Sequence, residues 1–321
     1  MRVTTAGQTQ AIIARLQAGA QQLERAQRRA ASGQRLERLS EDPNAGAAVM
    51  EAAGGLRGVA QYTRNAQRVS AALDAEDSAL QQITDLLARA RELGVAANSA
   101  NVDAAGRATN ADEVRALLGH AVLVANTRVG DEYLFGGLTN DGRAPFDADA
   151  PAFVVTDPPP AGAPAGTPAV PRFPDGTRLV EVGAGGQRLR GAHDGTSVFL
   201  GRNAAGQPDA TTGVFAALRD LEAAMRAPDT GGISAALGAV DAAFGGVQAH
   251  VGEVGARQNA AEVVTAGLAA LDQSLTRHKA ELSEVDAAEA FTEAVARQTA
   301  YQAAMLASSR VMGLSLADYL R

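Results

Sequence analysis

The sequence predicts a mainly α protein: an elongated helical coiled-coil rod formed by both chain ends, with a central β-rich insert. In both halves of the chain, apolar residues recur at alternating spacings of three and four, which is the seam pattern of coiled coils. Aromatic residues make up only 4% and Trp is absent, so the alanine-rich remainder favours thin, closely packed helices over a thick core. Ten of the twelve prolines lie within residues 130–213, which excludes a long helix there.

The first predicted helix covers residues 5–31. Its apolar positions follow a coiled-coil seam. The seam consists of Ile12, Leu16, Gly19, Leu23, Ala26 and Ala30. Gly33 is a natural helix stop. Asp42 followed by Pro43 starts the next helix, with the carboxylate at the N-cap and the proline in the first turn.

The second predicted helix runs from Pro43 to about residue 99, with seam spacing sustained over residues 49–90. At 1.5 Å per residue it would be roughly 80 Å long, and such length is typical of a coiled coil rather than a globular helix. A third helix is predicted from Asn110, which forms a capping-box pattern with Glu113, to about residue 128.

Residues 130–213 are predicted to form the insert. The segment 158–171 carries six of the chain's prolines and fits neither a helix nor a central strand. Short β-type runs lie at residues 133–135, 153–156, 178–182 and 197–200. GAGGQ at 183–187 is interpreted as a turn between strands, because no helix or Lys follows it as an anion-binding loop needs. We expect residues 144–208 to lie outside the helical layers and to be removable.

Helix is predicted again at 214–226 and from Ile233, where the cleanest seam of the chain runs to Leu275. Ser283 with Asp286 forms a capping pattern that opens a last helix. The plan is therefore palindromic. The predicted domains are an inner coiled-coil domain (1–44 and 283–321), a helical rod domain (45–129 and 214–282) and the insert (130–213).

Composition excludes several classes of function. There is no Cys, so disulfides, thiolate chemistry and cysteine zinc sites are ruled out. The N-terminus lacks an apolar core, so no cleaved signal peptide is expected, and no apolar run is long enough for a transmembrane helix. The net charge of −7 argues against nucleic acid and, with an acidic partner helix, against a membrane role for the N-terminal arginines. Residues 1–40 carry +5 and residues 281–321 carry −3, so the two ends attract each other.

Candidate catalytic residues are few. The four histidines, at positions 120, 193, 250 and 278, are scattered and form no i, i+4 pair. The sequence therefore predicts no catalytic, cofactor-binding or metal-binding residues and no cofactor, and the protein is not expected to be an enzyme.

Two motifs at opposite ends of the chain resemble the terminal signatures of the bacterial flagellin family. ASGQRLERLSEDPNAGAAV (31–49) resembles the N-terminal signature, and LSEVDAAEAFTEAVARQTAYQAA (282–304) resembles the C-terminal one. The matching residues include Ser32, Gly33, Arg35, Asp42, Asp286, Gln298 and Gln302. The resemblance covers about 240 residues and implies a flagellin-like fold, with both chain ends in one helical rod.

Two further stretches separate branches of this family. NTRVGDEYLFGG (126–137), followed by PF (145–146), and the ending LSLADYL (314–320) are similar to the branch that joins the flagellar hook to the filament. This resemblance implies an extracellular structural adaptor, present as a ring of copies at that junction and transiently cytoplasmic before export through the flagellar type III channel. The implied partners are further copies of itself, the other hook-associated junction protein, flagellin, and a cytosolic export chaperone on the C-terminal helix. The alternative is a filament-forming flagellin.

Two interpretations stay open. The residues predicted to serve assembly in the terminal coiled coil are Ile12, Leu16, Leu23, Val295, Met305, Met312 and Leu316. Met305 and Met312 either pack within the chain or contact neighbouring copies, and the second is favoured because one partner helix cannot cover the whole stripe. The polar seam residues (Thr63, Glu76, Gln258, Gln298 and Gln302) are either tolerated or fix the register of the helices.

Overall fold

The computed structural model describes residues 5–36, 38, 41–99, 101–138, 142–150, 152–158, 164, 169–227 and 231–319, with the side chains of 5–9 and 311–319 left out. The helices are α1 (Thr5–Ser32), α2 (Pro43–Ala97), α3 (Ala104–Ala125), α4 (Gly195–Phe199), α5 (Gly213–Arg226), α6 (Gly231–Ser283) and α7 (Ala287–Tyr319). The strands are β1 (Arg128–Val129), β2 (Glu132–Tyr133), β3 (Thr156–Asp157), β4 (Val170–Pro171), β5 (Leu179–Glu181), β6 (Arg188–Arg190), β7 (Gly201–Arg202) and β8 (Pro208–Asp209). The predicted fold class, long helices from both chain ends around a small strand region, is confirmed.

The chain divides into two compact units: unit 1 comprises residues 1–59 and 270–321, and unit 2 comprises residues 60–269. Each of the long helices α2 and α6 contributes residues to both units. The five-segment domain division drawn from the sequence stays a prediction.

Unit 1 contains α1 packed against α7. Arg297 on α7 donates a hydrogen bond from Nη1 to Oε1 of Gln22 at 3.1 Å. Gly19 faces Tyr301: a Cβ added at Gly19 would lie 3.4 Å from Cδ2 of that ring. The small side chain on one helix thus accommodates an aromatic ring on the other, and the two chain ends form one helix pair.

The start of α7 differs from the prediction. Helix α6 continues to Ser283, whose Oγ donates to the carbonyl of Lys279 at 2.8 Å instead of capping a new helix. Asp286 is the cap, and its Oδ1 accepts a hydrogen bond from the N–H of Ala288 at 2.7 Å. The capping pattern was therefore assigned three residues too early, because a serine can also bond back to its own helix.

In unit 2, α2 and α6 run antiparallel, and polar pairs mark the register. Gln258 donates to Asp74 at 2.9 Å, and Arg91 donates to Asp241 at 2.7 Å. The buried seam residues of α2 in this unit are Ala66, Val69, Leu73, Glu76, Leu80, Ile83, Leu87 and Ala90. The buried seam residues of α6 include Ile233, Val240, Val247, Val254, Ala261 and Leu268. Both predicted seams are confirmed as the buried faces of the long helices in this unit.

Helix α3 packs against α5 and begins earlier than predicted. Asp103 is its N-cap, and the Oδ1 of that residue accepts a hydrogen bond from the N–H of Gly106 at 2.7 Å. The predicted capping box at Asn110 and Glu113 was wrong, because the earlier aspartate already satisfies the free N–H groups of the first turn.

The described strands of the insert form four two-stranded antiparallel hairpins. The turn predicted at 183–187 is confirmed, since β5 and β6 flank it and Gly186 has φ 77°. The strand predicted at 197–200 was wrong. Asp194 accepts a hydrogen bond from the N–H of Ser197 at 2.7 Å and caps the short helix α4 there, so the N-cap outweighs the β-type side chains.

Four phenylalanines of the insert and one of α5 form a shared core: Phe135, Phe146, Phe153, Phe199 and Phe215. Phe199 of α4 stacks on Phe215 of α5, with ring centroids 5.3 Å apart, and Phe146 packs edge-on against both rings. Such pairs stabilise a fold beyond the burial of their area. The expectation that residues 144–208 lie outside the helical layers was therefore wrong for the two ends of this segment.

Candidate functional site

The motif residues of both chain ends meet at the base of the terminal helix pair. The N–H of Arg35 donates to the carbonyl of Ser283 at 2.8 Å, and the N–H of Val285 donates to the carbonyl of Gly33 at 3.0 Å. The guanidinium of Arg35 also donates to the carbonyl of Leu282, at 2.7 Å from Nη2. The loop after α1 is therefore hydrogen-bonded to the end of α6 and to the loop before α7.

Three motif residues shape that base locally. Gly33 has φ 67° and its N–H bonds to the carbonyl of Arg29 at 2.9 Å, which ends α1 with a left-handed residue. Oγ of Ser32 accepts from the N–H of Gln34 at 3.2 Å. Asp42 accepts from the N–H of Ala45 at 3.0 Å and caps α2. These side chains fix the turns by which the chain enters and leaves the helix pair, so their contacts in the single chain are structural.

The predicted assembly residues of α1 and α7 fall into two environments. Ile12, Leu16 and Leu23 are half-buried in the helix pair. Val295 and Met305 of α7 are instead 61% and 49% exposed. The side chains of Met312 and Leu316 lie outside the described part of the structure.

An exposed stripe runs along α7. We call it the α7 stripe, and its described members are Phe291, Val295, Gln298, Gln302, Met305 and Ser309. Phe291 is 61% exposed. The residues that α7 buries or half-buries lie on the neighbouring face, with Ala290 at 3% exposure and Tyr301 half-buried. Spacings of four and three keep the stripe on one face of the helix, and that face is open in the single chain.

A second cluster lies in unit 2, where the sequence predicts none. His193, in the loop after β6, is held between α2 and α6: its Nδ1 lies 2.6 Å from Oε1 of Glu76 and its Nε2 lies 2.8 Å from Oε2 of Glu253. The N–H of His193 also donates to Oε1 of Glu76 at 3.0 Å. The ring of His250 lies edge-on to that of His193, with centroids 4.7 Å apart. The structure therefore brings together two of the four histidines that are scattered along the sequence.

The side chains of this histidine cluster shift one another's pKa values. Burial lowers the pKa of His193, but its hydrogen bond to Glu76 and the charge of that carboxylate outweigh burial and raise the pKa above its usual value. The hydrogen bond from His193 lowers the pKa of Glu253. Burial and the nearby charge of His193 lower the pKa of His250. The fully buried Glu76 thus accepts two hydrogen bonds from His193, one from the ring and one from the backbone N–H, which accounts for a carboxylate at a seam position.

One sequence signal could have pointed to this cluster. His250 and Glu253 stand three residues apart on α6 and so share a helix face, and Glu76 interrupts an otherwise apolar seam on α2. His193 could not be paired with them from the sequence, because the contact joins the insert to residues 60 and 117 positions away.

Within the described residues, every helix is too short or too polar to span a bilayer. The chain ends carry the matches to known families. The family "bacterial flagellin N-terminal helical region" matches residues 3–140, and the "bacterial flagellin C-terminal helical region" matches residues 237–320. The flagellar hook-associated protein 3 of Escherichia coli (strain K12) is 25% identical over 303 residues, which cover 89% of each chain.

Solved structures show the same fold. A Vibrio parahaemolyticus protein designated as flagellar hook-associated aligns with TM-score 0.61 at 17% identity, over 76% of this chain and 100% of that one. The flagellar hook-associated protein-3 from Legionella pneumophila aligns with TM-score 0.55 at 15% identity, over 73% of this chain and 98% of that one. The architecture of long terminal helices around a small insert is thus shared at low identity.

Proposed function

Because the chain belongs to the bacterial flagellin family, we propose that it is a structural subunit of the flagellum that acts as the adaptor at the hook–filament junction. The observation that carries this proposal is the similarity to hook-associated protein 3 over 89% of both chains. The junction-type stretches at 126–137 and 314–320 support the same branch. The role is mechanical and not enzymatic: one surface accepts the geometry of the hook and another serves as the template for the filament.

The assembly surface in this proposal is the terminal helix pair. Ile12, Leu16 and Leu23 hold α1 to α7, while Val295 and Met305 on the α7 stripe, with Met312 and Leu316 further along, contact a neighbouring copy of the chain. The occupant is a second copy because the two ends have opposite charges, +5 over residues 1–40 and −3 over residues 281–321. A basic α1 can thus pair with the acidic α7 of the next subunit in a ring.

The further partners in this proposal are the other hook-associated junction protein on the hook side and flagellin on the filament side. The protein acts outside the cell after passing through the flagellar type III channel. In the cytoplasm a dedicated chaperone binds the C-terminal helix, whose exposed apolar stripe would otherwise promote association.

Deletion of the gene in the parent bacterium tests the function. We expect cells that build hooks and release flagellin monomers into the medium without attaching filaments. Restoring the intact gene is the control and should bring filaments back. Intact filaments on the hooks of the deletion strain would instead support the alternative, a redundant filament-forming flagellin. Purified protein that polymerises by itself into long filaments would support that alternative as well.

The α7 stripe can be tested with a matched pair of valines. Val295 on the stripe is 61% exposed, and Val263 on α6 is 73% exposed. Because both side chains are exposed, Val295→Asp and Val263→Asp should each change the stability of the monomer by less than about 0.5 kcal/mol. In complemented cells, only Val295→Asp should abolish filament attachment, since it places a charge in the inter-subunit contact. Normal filaments with Val295→Asp would refute the assignment of the stripe.

A further inference from the structure

We propose that His193, His250 and Glu253 form a binding site for a divalent transition-metal ion of the zinc class, with Glu76 as the positioning residue. One nitrogen from each histidine and one oxygen from the carboxylate lie within 4.8 Å of one another. Two imidazoles and one carboxylate are a ligand set that zinc accepts, with an open fourth position. A site here is independent of the assembly surface described above.

The ligand atoms require only small shifts to bind zinc. Ligand atoms about 2.0–2.1 Å from a tetrahedral zinc ion lie roughly 3.4 Å apart, so the widest separation would close by somewhat more than 1 Å. The side chain of Glu253 is 59% exposed and rotates freely enough to supply much of this movement. Its Oε2 lies 2.8 Å from Nε2 of His193, so this pair would separate by roughly 0.6 Å when an ion replaces the shared proton.

His193 is oriented for ligation. Its Nδ1 donates to the fully buried Glu76, at 2.6 Å from Oε1. An ion that displaces the proton shared by Nε2 and Glu253 would therefore meet the Nε2 lone pair while Nδ1 stays bonded to Glu76. A carboxylate bound to the far nitrogen of a ligating histidine is the usual outer-shell arrangement around zinc, and it raises the basicity of the ligand. Glu76 therefore acts through His193 and does not touch the ion.

His250 supplies the independent observation. Its Nε2 lies 3.0 Å from the carbonyl of Ser197, so Nε2 carries the proton and Nδ1 is left as an acceptor. In the described part of the chain this Nδ1 is buried and has no hydrogen-bond partner. A buried acceptor without a partner costs stability, and an ion bound to Nδ1 would satisfy it.

The surroundings provide access and charge balance. The exposed carboxylate of Glu253 opens the site to solvent, and His250 also lines a cleft of about 330 Å³ between α4, α5 and α6. Glu76 and Glu253 supply two negative charges. Arg257 lies 3.3 Å from Glu253 and offsets one of these charges, so one negative charge remains toward a divalent cation.

The simpler account is that a protonated His193 bridges Glu76 and Glu253 and that no ion binds. The two accounts differ in a measurable way, because the proton between Nε2 of His193 and Glu253 occupies the same place as the ion. In the simpler account His250 contributes nothing to cation affinity.

Calorimetric titration of the full-length, chelator-treated protein with Zn²⁺ distinguishes ion binding from a protonated His193 bridge. The visible absorption of bound Co²⁺ is a second readout of tetrahedral ligation. We expect one ion per chain, with at least about tenfold weaker affinity in Glu253→Gln and in His250→Gln. His278→Gln and His120→Gln remove exposed histidines on helices and should leave the affinity unchanged. Glu253→Gln alters an exposed side chain, so it keeps the test valid even if His250→Gln unfolds.

The outcomes are distinct. Saturable binding of one ion that weakens in the Glu253 variant but not in the controls supports the site. Absence of saturable binding in the wild-type protein overturns it, and so does equal affinity in Glu253→Gln and wild type. Filament attachment does not enter this readout, so a failed site leaves the proposed junction function untouched.

Discussion

Each of the two compact units of this chain has an interior built from a different kind of side chain. In unit 1 the buried apolar residues among those described are Ala26, Ala45, Ala52, Val59 and Ala290. In unit 2 the largest fully buried side chains include Phe135, Phe199, Phe215, Leu80, Ile83, Leu221 and Met225. Burial stabilises a fold in proportion to the apolar area removed from water. We therefore expect unit 2 to be stable by itself and unit 1 to be only marginally stable in the monomer.

The same contrast holds for polar groups. Unit 2 buries Glu76 fully against His193, which only a well-packed interior tolerates. Unit 1 holds its two chain ends with backbone hydrogen bonds at the base of the helix pair, such as Arg35 to Ser283, and leaves Phe291 and Val295 exposed. The unit that meets other subunits in the proposed function is therefore the one with the least stabilisation of its own.

The largest effect is expected from removing residues 144–208. The deletion removes Phe146, Phe153 and Phe199 from around Phe215 and uncovers the carboxylate of Glu76. Each lost phenylalanine costs about 3–5 kcal/mol, which together approaches or exceeds the whole stability of a typical domain, about 5–15 kcal/mol. Circular dichroism melting should therefore show no cooperative transition for unit 2. A deletion variant that melts like the full chain would show that the two units do not differ in this way.

A matched pair of phenylalanines sharpens the comparison. Phe215→Ala in unit 2 should destabilise the protein by about 3–5 kcal/mol, because the side chain is fully buried among other rings. Phe291→Ala in unit 1 should change the stability by less than about 0.5 kcal/mol, because the side chain is 61% exposed. Urea unfolding of both variants measures the difference. Similar losses in the two variants would mean that the α7 stripe is covered within the single chain.

Limited proteolysis compares the units in one molecule. Each ordered residue costs roughly 1–2 kcal/mol of backbone entropy, and alanine burial offsets little of it, so segments 1–40 and 283–321 should be open in the monomer. Trypsin should cut at Arg25 and Arg297 well before Arg64 and Arg68 of α2, with trimming that stops near residues 40 and 283. Mass spectrometry of the fragments over time gives the order of cleavage. Cleavage at all four arginines at equal rates would contradict the difference between the units.

The sequence predicted the regular parts of this fold and missed contacts between distant segments. The buried face of α2 was predicted correctly, because a spacing such as that from Leu73 to Leu80 is a local property of one helix. The cap of α7 was misplaced at Ser283, where two local hydrogen-bonding options compete. The phenylalanine core and the pairing of His193 with Glu76 depend on how the insert packs on the helices, and no spacing in the sequence encodes that packing.

The smallest effects on tryptic cleavage are expected from substitutions of two glycines in unit 1. They measure how close the free energy of opening of the terminal helix pair is to zero. Gly19→Ala lies inside α1, where alanine is favoured over glycine by up to about 1 kcal/mol and its Cβ makes an ordinary contact with Tyr301. Gly33→Ala instead forces a side chain onto a residue with φ 67°, at a cost of about 1–2 kcal/mol, although no atom of the described residues crowds the position.

The rate of tryptic cleavage at Arg25 should follow the open fraction of the ends when opening is fast. If the open and closed forms are nearly balanced, Gly19→Ala should slow cleavage about 2–3-fold. Gly33→Ala can then accelerate it by no more than about twofold, because the open fraction is already near one half and cannot exceed one. The melting temperature of unit 2 is the control and should be the same in both variants. An acceleration of about tenfold by Gly33→Ala would instead require ends that are mostly closed in the monomer, and unit 1 would then be stable without its neighbours.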